Sequence, residues 1–237
     1  ETVVSMNFSN EEVHHLRISE LAEKLEIGLL YGAQIRDNEN LYNSIVLYDE
    51  NDNITTYHKH RLVPFVEYFP LENLLNQVLN LDLLLGSYNP GEEITIFYYD
   101  EVPLGGVICF ESYFGDHMRL FAERGARHIF ILTNDAWFGK TIGLDQHAQA
   151  AAIRAAETGV GVTQVANSGL TISFDYCGRE LLRSGKQEQG IYMLELDLSR
   201  RKTLYTRYGD YFPAFWFSFL SLGLFYLVIK KLTSKSL

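Results

Sequence analysis

A layered α/β domain with buried sheets, followed by one membrane-spanning helix, is the fold class that the sequence predicts. Three observations point to it. Strand-like and helix-like segments alternate along residues 1–210, several strand-like segments are short and apolar throughout, and residues 211–229 carry no charge. A strand apolar on both faces must be covered on both faces, which calls for further layers of helix or sheet. The 237 residues suffice for one large domain with an appendage. Hydrophobic residues make up 47% and charged residues 21%, which excludes a disordered chain. With 20 Lys+Arg against 30 Asp+Glu, the formal charge of −10 leaves no basic surface for nucleic acid, so no nucleic-acid partner is expected. Two cysteines, Cys109 and Cys177, build no disulfide framework, and no metal-ligand spacing occurs, so no metal and no cofactor are expected.

The elements follow in order. Ser9-x-x-Glu12 makes a capping box, and Val13, Leu16, Leu21 and Leu25 recur at helical spacing behind it. Residues 28–35 and 43–48 read as strands, and the Asn51-Asp52-Asn53 turn leads into another extended run at 55–58. Residues 71–85 hold nine Leu or Val among fifteen, a helix that is either a lipid-contacting lid or a core-facing helix. Strands are expected at 94–99 and 105–110, a helix at 113–124, a strand at 128–133 and an alanine-rich helix at 145–158. Further strands are expected at 161–166, 170–174 and 191–196, with Cys177-Gly178 in a turn where the cysteine looks structural or incidental.

From Tyr211 to Ile229 the chain runs nineteen residues without a charge, then meets Lys230, Lys231 and Lys235. Nineteen helical residues span about 28 Å, close to the hydrocarbon thickness of a bilayer. Tyr211, Phe212, Phe215 and Trp216 crowd the entry as an interfacial belt. Three parts are therefore expected: a domain over 1–210, a transmembrane helix over 211–231 and a short tail over 232–237. The lysine-rich end belongs inside by the positive-inside tendency, which places residues 1–210 on the outer face. The chain opens on Glu-Thr-Val-Val without a signal peptide, and we expect it to be the C-terminal part of a longer chain. Without upstream core strands it is expected to be unstable or inactive alone.

Chemistry concentrates in three segments. Cys109 ends Gly-Gly-Val-Ile-Cys, a buried strand leading into a turn and a helix. A nucleophile there sits on rigid backbone, and the helix N-terminus favours its thiolate. The alternative is a small apolar core residue. Lys59, just after a strand and before a proline-containing apolar loop, either aims a fixed positive charge at a reacting oxygen or is solvated. Glu67 in the same loop either orients that lysine or is a surface carboxylate. After a third strand, Thr133-Asn-Asp-Ala-Trp-Phe-Gly139 gathers polar and aromatic groups in a glycine-ended loop. Asn134 and Asp135 there also suit a simple Asx turn, and Trp137 and Phe138 simple packing. His147 has no second ligand-like residue at metal spacing and is read as structural in preference to a general base.

Taken together, Lys59-His-Arg-Leu-Val-Pro-Phe-Val-Glu67-Tyr, Ile-Cys109-Phe-Glu111 and Asn134-Asp-Ala-Trp-Phe-Gly139 resemble the nitrilase superfamily. Gln146-His147, Arg154-Ala-Ala-Glu157, Ala166-Asn-Ser-Gly169 and Tyr205-Thr-Arg-Tyr-Gly209 resemble its apolipoprotein N-acyltransferase branch, as does the terminal apolar helix. The resemblance implies an αββα sandwich, here lacking its first strands, and a Glu–Lys–Cys triad of Glu1, Lys59 and Cys109. It implies supporting roles near the site for Glu67, Glu111, Phe110, Asn134, Trp137 and Phe138. Where the family pattern reads Cys-Tyr-Glu this chain has Phe110, so a phenol hydroxyl is absent. The implied reaction moves a fatty acyl chain from a membrane phospholipid, through a Cys109 thioester, to the amino group of a diacylglyceryl-modified apolipoprotein. The implied location is the bacterial inner membrane, with the domain on the periplasmic face and the C-terminus cytoplasmic. Two alternatives stand beside it, a nitrilase-type amidase acting on a small substrate and an inert membrane-anchored binding protein.

Overall fold

The computed structural model describes residues 4–7, 12–49, 51, 53–70 and 87–233. Two sheets carry the fold. The first has the order β1 (Val4–Asn7), β2 (Leu29–Asp37), β3 (Asn40–Tyr48) and β4 (Ile54–His58). Its β1 and β2 are parallel and its remaining pairs antiparallel. The second runs β10 (Glu180–Arg183), β9 (Ile172–Phe174), β8 (Gly161–Ser168), β7 (His128–Asn134), β6 (Val102–Ile108) and β5 (Phe97–Tyr99). Its central strands β6, β7 and β8 are parallel, with antiparallel strands at both flanks.

Alternation along β3 explains the layering. Ile45 and Leu47 turn toward the second sheet and join one apolar core with Phe97, Val107, Ile108 and Ile131. Val46, on the opposite face, packs with Ala33 and Ile35 toward α1 (Glu12–Leu25). Successive side chains of a strand point to opposite faces, so a strand apolar at every position is one covered on both sides. Gly105 and Gly106 show the same in β6. A Cβ at Gly105 would meet Phe121 of α2 (Gly115–Glu123), and one at Gly106 would meet Ile45 of the first sheet. Helix α3 (Gly143–Thr158) packs beside α2 against β8 and ends on Gly159, whose left-handed φ of +68° lets its N–H close on the Ala155 carbonyl. The layers are thus helix, sheet, sheet, helix, the αββα arrangement that the sequence resemblance implies.

Thr203 caps the short α4 (Leu204–Tyr208), accepting the Thr206 N–H at 2.9 Å, and α5 (Tyr211–Thr233) follows. Over Tyr211–Lys231 this helix is long and apolar enough to cross a membrane, and it is uncovered along its length. Its two serines are satisfied within the helix, Ser218 donating to the Ala214 carbonyl and Ser221 to that of Phe217.

Several expectations change. Residues 191–196 form no strand: the segment has no paired neighbour among the described residues, and Ile191 and Met193 are 99% and 94% exposed. An extended segment becomes a strand only when another backbone meets its N–H and C=O groups. The strand expected at 94–99 shortens to β5, and Cys109 and Phe110 leave β6 for a 3-10 turn, Cys109–Tyr113. Glu1, Ser9 and the leucine-rich stretch 71–85 lie outside the described residues.

Candidate active site

Because β6, β7 and β8 are parallel, their C-terminal ends reach one edge, bringing the Cys109 turn and the loop after Asn134 together. Such an edge is where open α/β sheets place ligands. Cys109 is 9% exposed and has φ +49°. A side chain held in the left-handed region costs about 1–3 kcal/mol and persists only where its surroundings over-determine it.

Glu111, buried, supplies much of that determination. Its Oε2 accepts the Ile108 N–H at 2.8 Å, just before the cysteine. Its Oε1 accepts the Tyr57 hydroxyl at 2.8 Å and the backbone N–H groups of His60 and Arg61 at 2.7 and 3.0 Å. One carboxylate therefore ties the turn bearing Cys109 to the loop bearing Lys59. Burial raises the Glu111 pKa, and the N–H donors, Tyr57 and the nearby Lys59 charge oppose that rise. Behind it, His117 meets the Tyr57 hydroxyl at 2.9 Å. Burial lowers the His117 pKa to about 4, so near neutral pH it is an uncharged hydrogen-bond partner, and its approach to Glu111 is no salt bridge.

Lys59 is 1% exposed, which overturns the reading of a solvated lysine. Its Nζ lies 2.7 Å from Glu67 Oε1. Glu67 is buried too, taking the Asn43 side-chain N–H at 3.1 Å and the Val63 N–H at 2.7 Å. The charge is held by a carboxylate that two further donors fix, so the ammonium has little freedom to swing. Phe110 flanks Tyr113 and Phe114, with ring centroids 5.7 and 5.2 Å away, and lines a cavity of about 980 Å³ with His60, Arg61, Tyr68, Tyr88 and Phe114. That wall is aromatic and lacks the phenol hydroxyl of the family pattern, as Phe110 in the sequence implies.

The third segment divides. Asn134 accepts the Ala136 N–H at 3.3 Å, the Asx-like turn that its residue type allows. Trp137 is 66% exposed, and Phe138 packs with its ring centroid 6.4 Å from that of His147. Asp135, one residue from the expected Asn134, is instead wholly buried and faces His147 Nδ1 at 2.9 Å. His147 Nε2 faces Ser112 Oγ at 2.9 Å and the Cys109 carbonyl at 3.3 Å. Sequence spacing gave no sign of this trio, whose members come from three different elements. Among the described residues no cluster suited to a metal ion occurs.

The family model for carbon-nitrogen hydrolase matches residues 11–205. This chain belongs to the carbon-nitrogen hydrolase family. Within that match lie Lys59, Glu67, Cys109 and Glu111. The apolipoprotein N-acyltransferase of Geobacter metallireducens is 30% identical over 217 residues, 90% of this chain and 42% of that protein. The enzyme of the same name from Chlorobaculum tepidum is 32% identical over 182 residues, 72% of this chain and 33% of that one. The chain therefore spans less than half the length of these curated relatives. Among solved structures, an amidase from Nesterenkonia sp. superposes with a TM-score of 0.60 at 20% identity, covering 77% of this chain and 65% of that one. Lys59 follows β4 of the first sheet and Cys109 follows β6 of the second, and Glu111 bonds the backbone beside both.

Proposed function

We propose that this carbon-nitrogen hydrolase is an acyltransferase that moves a fatty acyl chain from a membrane phospholipid to the α-amino group of a diacylglyceryl-modified apolipoprotein. Cys109 is the nucleophile. Glu1 takes the thiol proton, and the thiolate attacks the ester carbonyl of the donor. Lys59 and backbone N–H groups stabilise the oxyanion of the tetrahedral intermediate. Its collapse expels the lysophospholipid alkoxide, which takes the proton from Glu1 and leaves a thioester on Cys109. The acceptor amine attacks that thioester, gives its proton to Glu1, and the thiolate departs with an amide formed. Glu67 positions Lys59, and Glu111 joins the lysine loop to the cysteine turn. Asn134, Trp137 and Phe138 shape the rim, and Phe110 supplies an apolar wall beside the nucleophile.

One observation favours acyl transfer from lipid over hydrolysis of a small amide: α5 is apolar and uncovered over Tyr211–Lys231. A small-amide amidase has no use for a bilayer anchor, whereas a donor embedded in the bilayer demands one. The likeness to curated N-acyltransferases supports the same choice. In this reading α5 spans the bacterial inner membrane, the domain over 1–210 lies on the periplasmic face, and the tail over 232–237 is cytoplasmic.

The test supplies the protein in detergent micelles with a phospholipid labelled in its acyl chain and a synthetic diacylglyceryl-cysteinyl peptide. Labelled N-acyl peptide and lysophospholipid in equal amounts are expected. Turnover of a small amide, with no label on the peptide, would replace acyl transfer by the amidase reading.

A further inference from the structure

The Cys109 turn is clamped from two sides, and only one clamp, Glu111, belongs to the site as proposed above. The other is the buried chain Asp135–His147–Ser112. Asp135 Oδ1 lies 2.9 Å from His147 Nδ1 and holds the orientation of the ring. Thr133 Oγ1 donates to the same oxygen at 2.8 Å, and Gln164 lies 3.5 Å from the other, so the carboxylate is held on both sides. At the far end, Ser112 Oγ bridges His147 Nε2 and the Cys109 carbonyl, 2.9 Å from each. Tyr113 stacks flat on the imidazole at 5.2 Å between centroids. The trio has the composition of a hydrolytic triad, yet Ser112 is wholly buried and its hydroxyl ends on a backbone oxygen. Its chemistry is to hold, not to attack.

What it holds matters because the Cys109 carbonyl and the Phe110 N–H belong to one planar peptide unit. Fixing the carbonyl fixes the direction of that N–H and the ψ angle of Cys109, the residue already held at φ +49°. We infer that Asp135, His147 and Ser112 are positioning residues that set the reactivity of Cys109 by locking the 109–110 peptide plane. The inference rests on the reading of Cys109 as the nucleophile.

In a Cys177→Ala background only one thiol remains, so the alkylation rate of Cys109 by iodoacetamide reports its reactivity without any lipid. Ser112→Ala, His147→Leu and their combination are compared with that parent in micelles, with thermal unfolding of each alongside. We expect Ser112→Ala to slow alkylation about tenfold, and to lower kcat for acyl transfer by a similar factor while KM for the phospholipid stays within about twofold. The double variant should fall no further than His147→Leu, because both break one chain. His147→Leu strands the buried Asp135 and is open to a folding defect, which Ser112→Ala avoids. Unchanged alkylation in folded Ser112→Ala would overturn the inference. Slowed alkylation in an enzyme that transfers no acyl group would support the inference while removing the acyl-transfer reading.

Discussion

Inside the two-sheet domain, ionisable side chains are buried; along α5, apolar side chains are exposed. Lys59, Glu67, Glu111, Asp135 and His147 sit under the surface, while Phe217, Leu220, Leu222 and Leu224 stand in the open. Each pattern inverts the ordinary distribution, and each implies a different environment. A buried ionisable group persists only where partners replace its water, and here each of the five has a fixed partner at 2.7–2.9 Å. An exposed apolar helix with its serine hydroxyls satisfied suits lipid as its solvent. In the proposed function the first departure serves chemistry and the second anchorage.

Four variants break or sharpen that contrast. The largest effect belongs to Cys109→Ser, which should reduce acyl transfer by 10³-fold or more, on the order expected for loss of a nucleophile, with little change in unfolding temperature. Lys59→Met comes next. It keeps the stem's volume but leaves Glu67 buried without its cation, and should destabilise the domain by about 3–5 kcal/mol in chemical denaturation while abolishing transfer. If the domain tolerates Lys59→Met without loss of stability, the ion pair is not isolated from water as described.

Acid should act through the histidines. Burial holds both His117 and His128 at about 4, below the usual value of about 6.5 for an unfolded chain. Between those values the unfolded state binds the proton and the folded state does not. The stability these neutral rings permit is therefore complete above about pH 6.5 and is lost as pH falls toward 4, roughly 3 kcal/mol for each. His128→Gln should flatten the slope of unfolding free energy against pH in that window, measured by urea titration at fixed pH values. The smallest effect on the fold belongs to Leu220→Arg with Leu224→Arg. Placed mid-helix, each charge opposes insertion by about 2.5–3.5 kcal/mol. Vesicle flotation should show release from the bilayer, while domain stability changes by less than about 0.5 kcal/mol.

What the sequence reveals follows from how local the information is. The apolar run of α5, the alternating strands of the first sheet and the strand-turn-helix around Cys109 are written in contiguous residues, and the structure has all three. Residues 191–196 carry a strand's pattern equally well, but pairing depends on a neighbour that the pattern does not name. Lys59 and Glu67 lie in one loop, so their pairing was within reach of sequence reasoning. Asp135 and His147 sit twelve residues apart in different elements, and Ser112 lies on a third. Only the parallel order of β6 and β7 brings them to one edge. That is why His147 reads as structural in the chain and stands behind Cys109 in the fold.

The most direct test of the central claim, a covalent acyl intermediate on Cys109, is the intact mass of the protein in micelles after exposure to phospholipid, with and without neutral hydroxylamine. A mass increase of one acyl chain that hydroxylamine removes, absent in Cys109→Ser, is the predicted result. A well-folded protein that gains no acyl mass from any of several phospholipids, or an adduct that survives in Cys109→Ser, would contradict it.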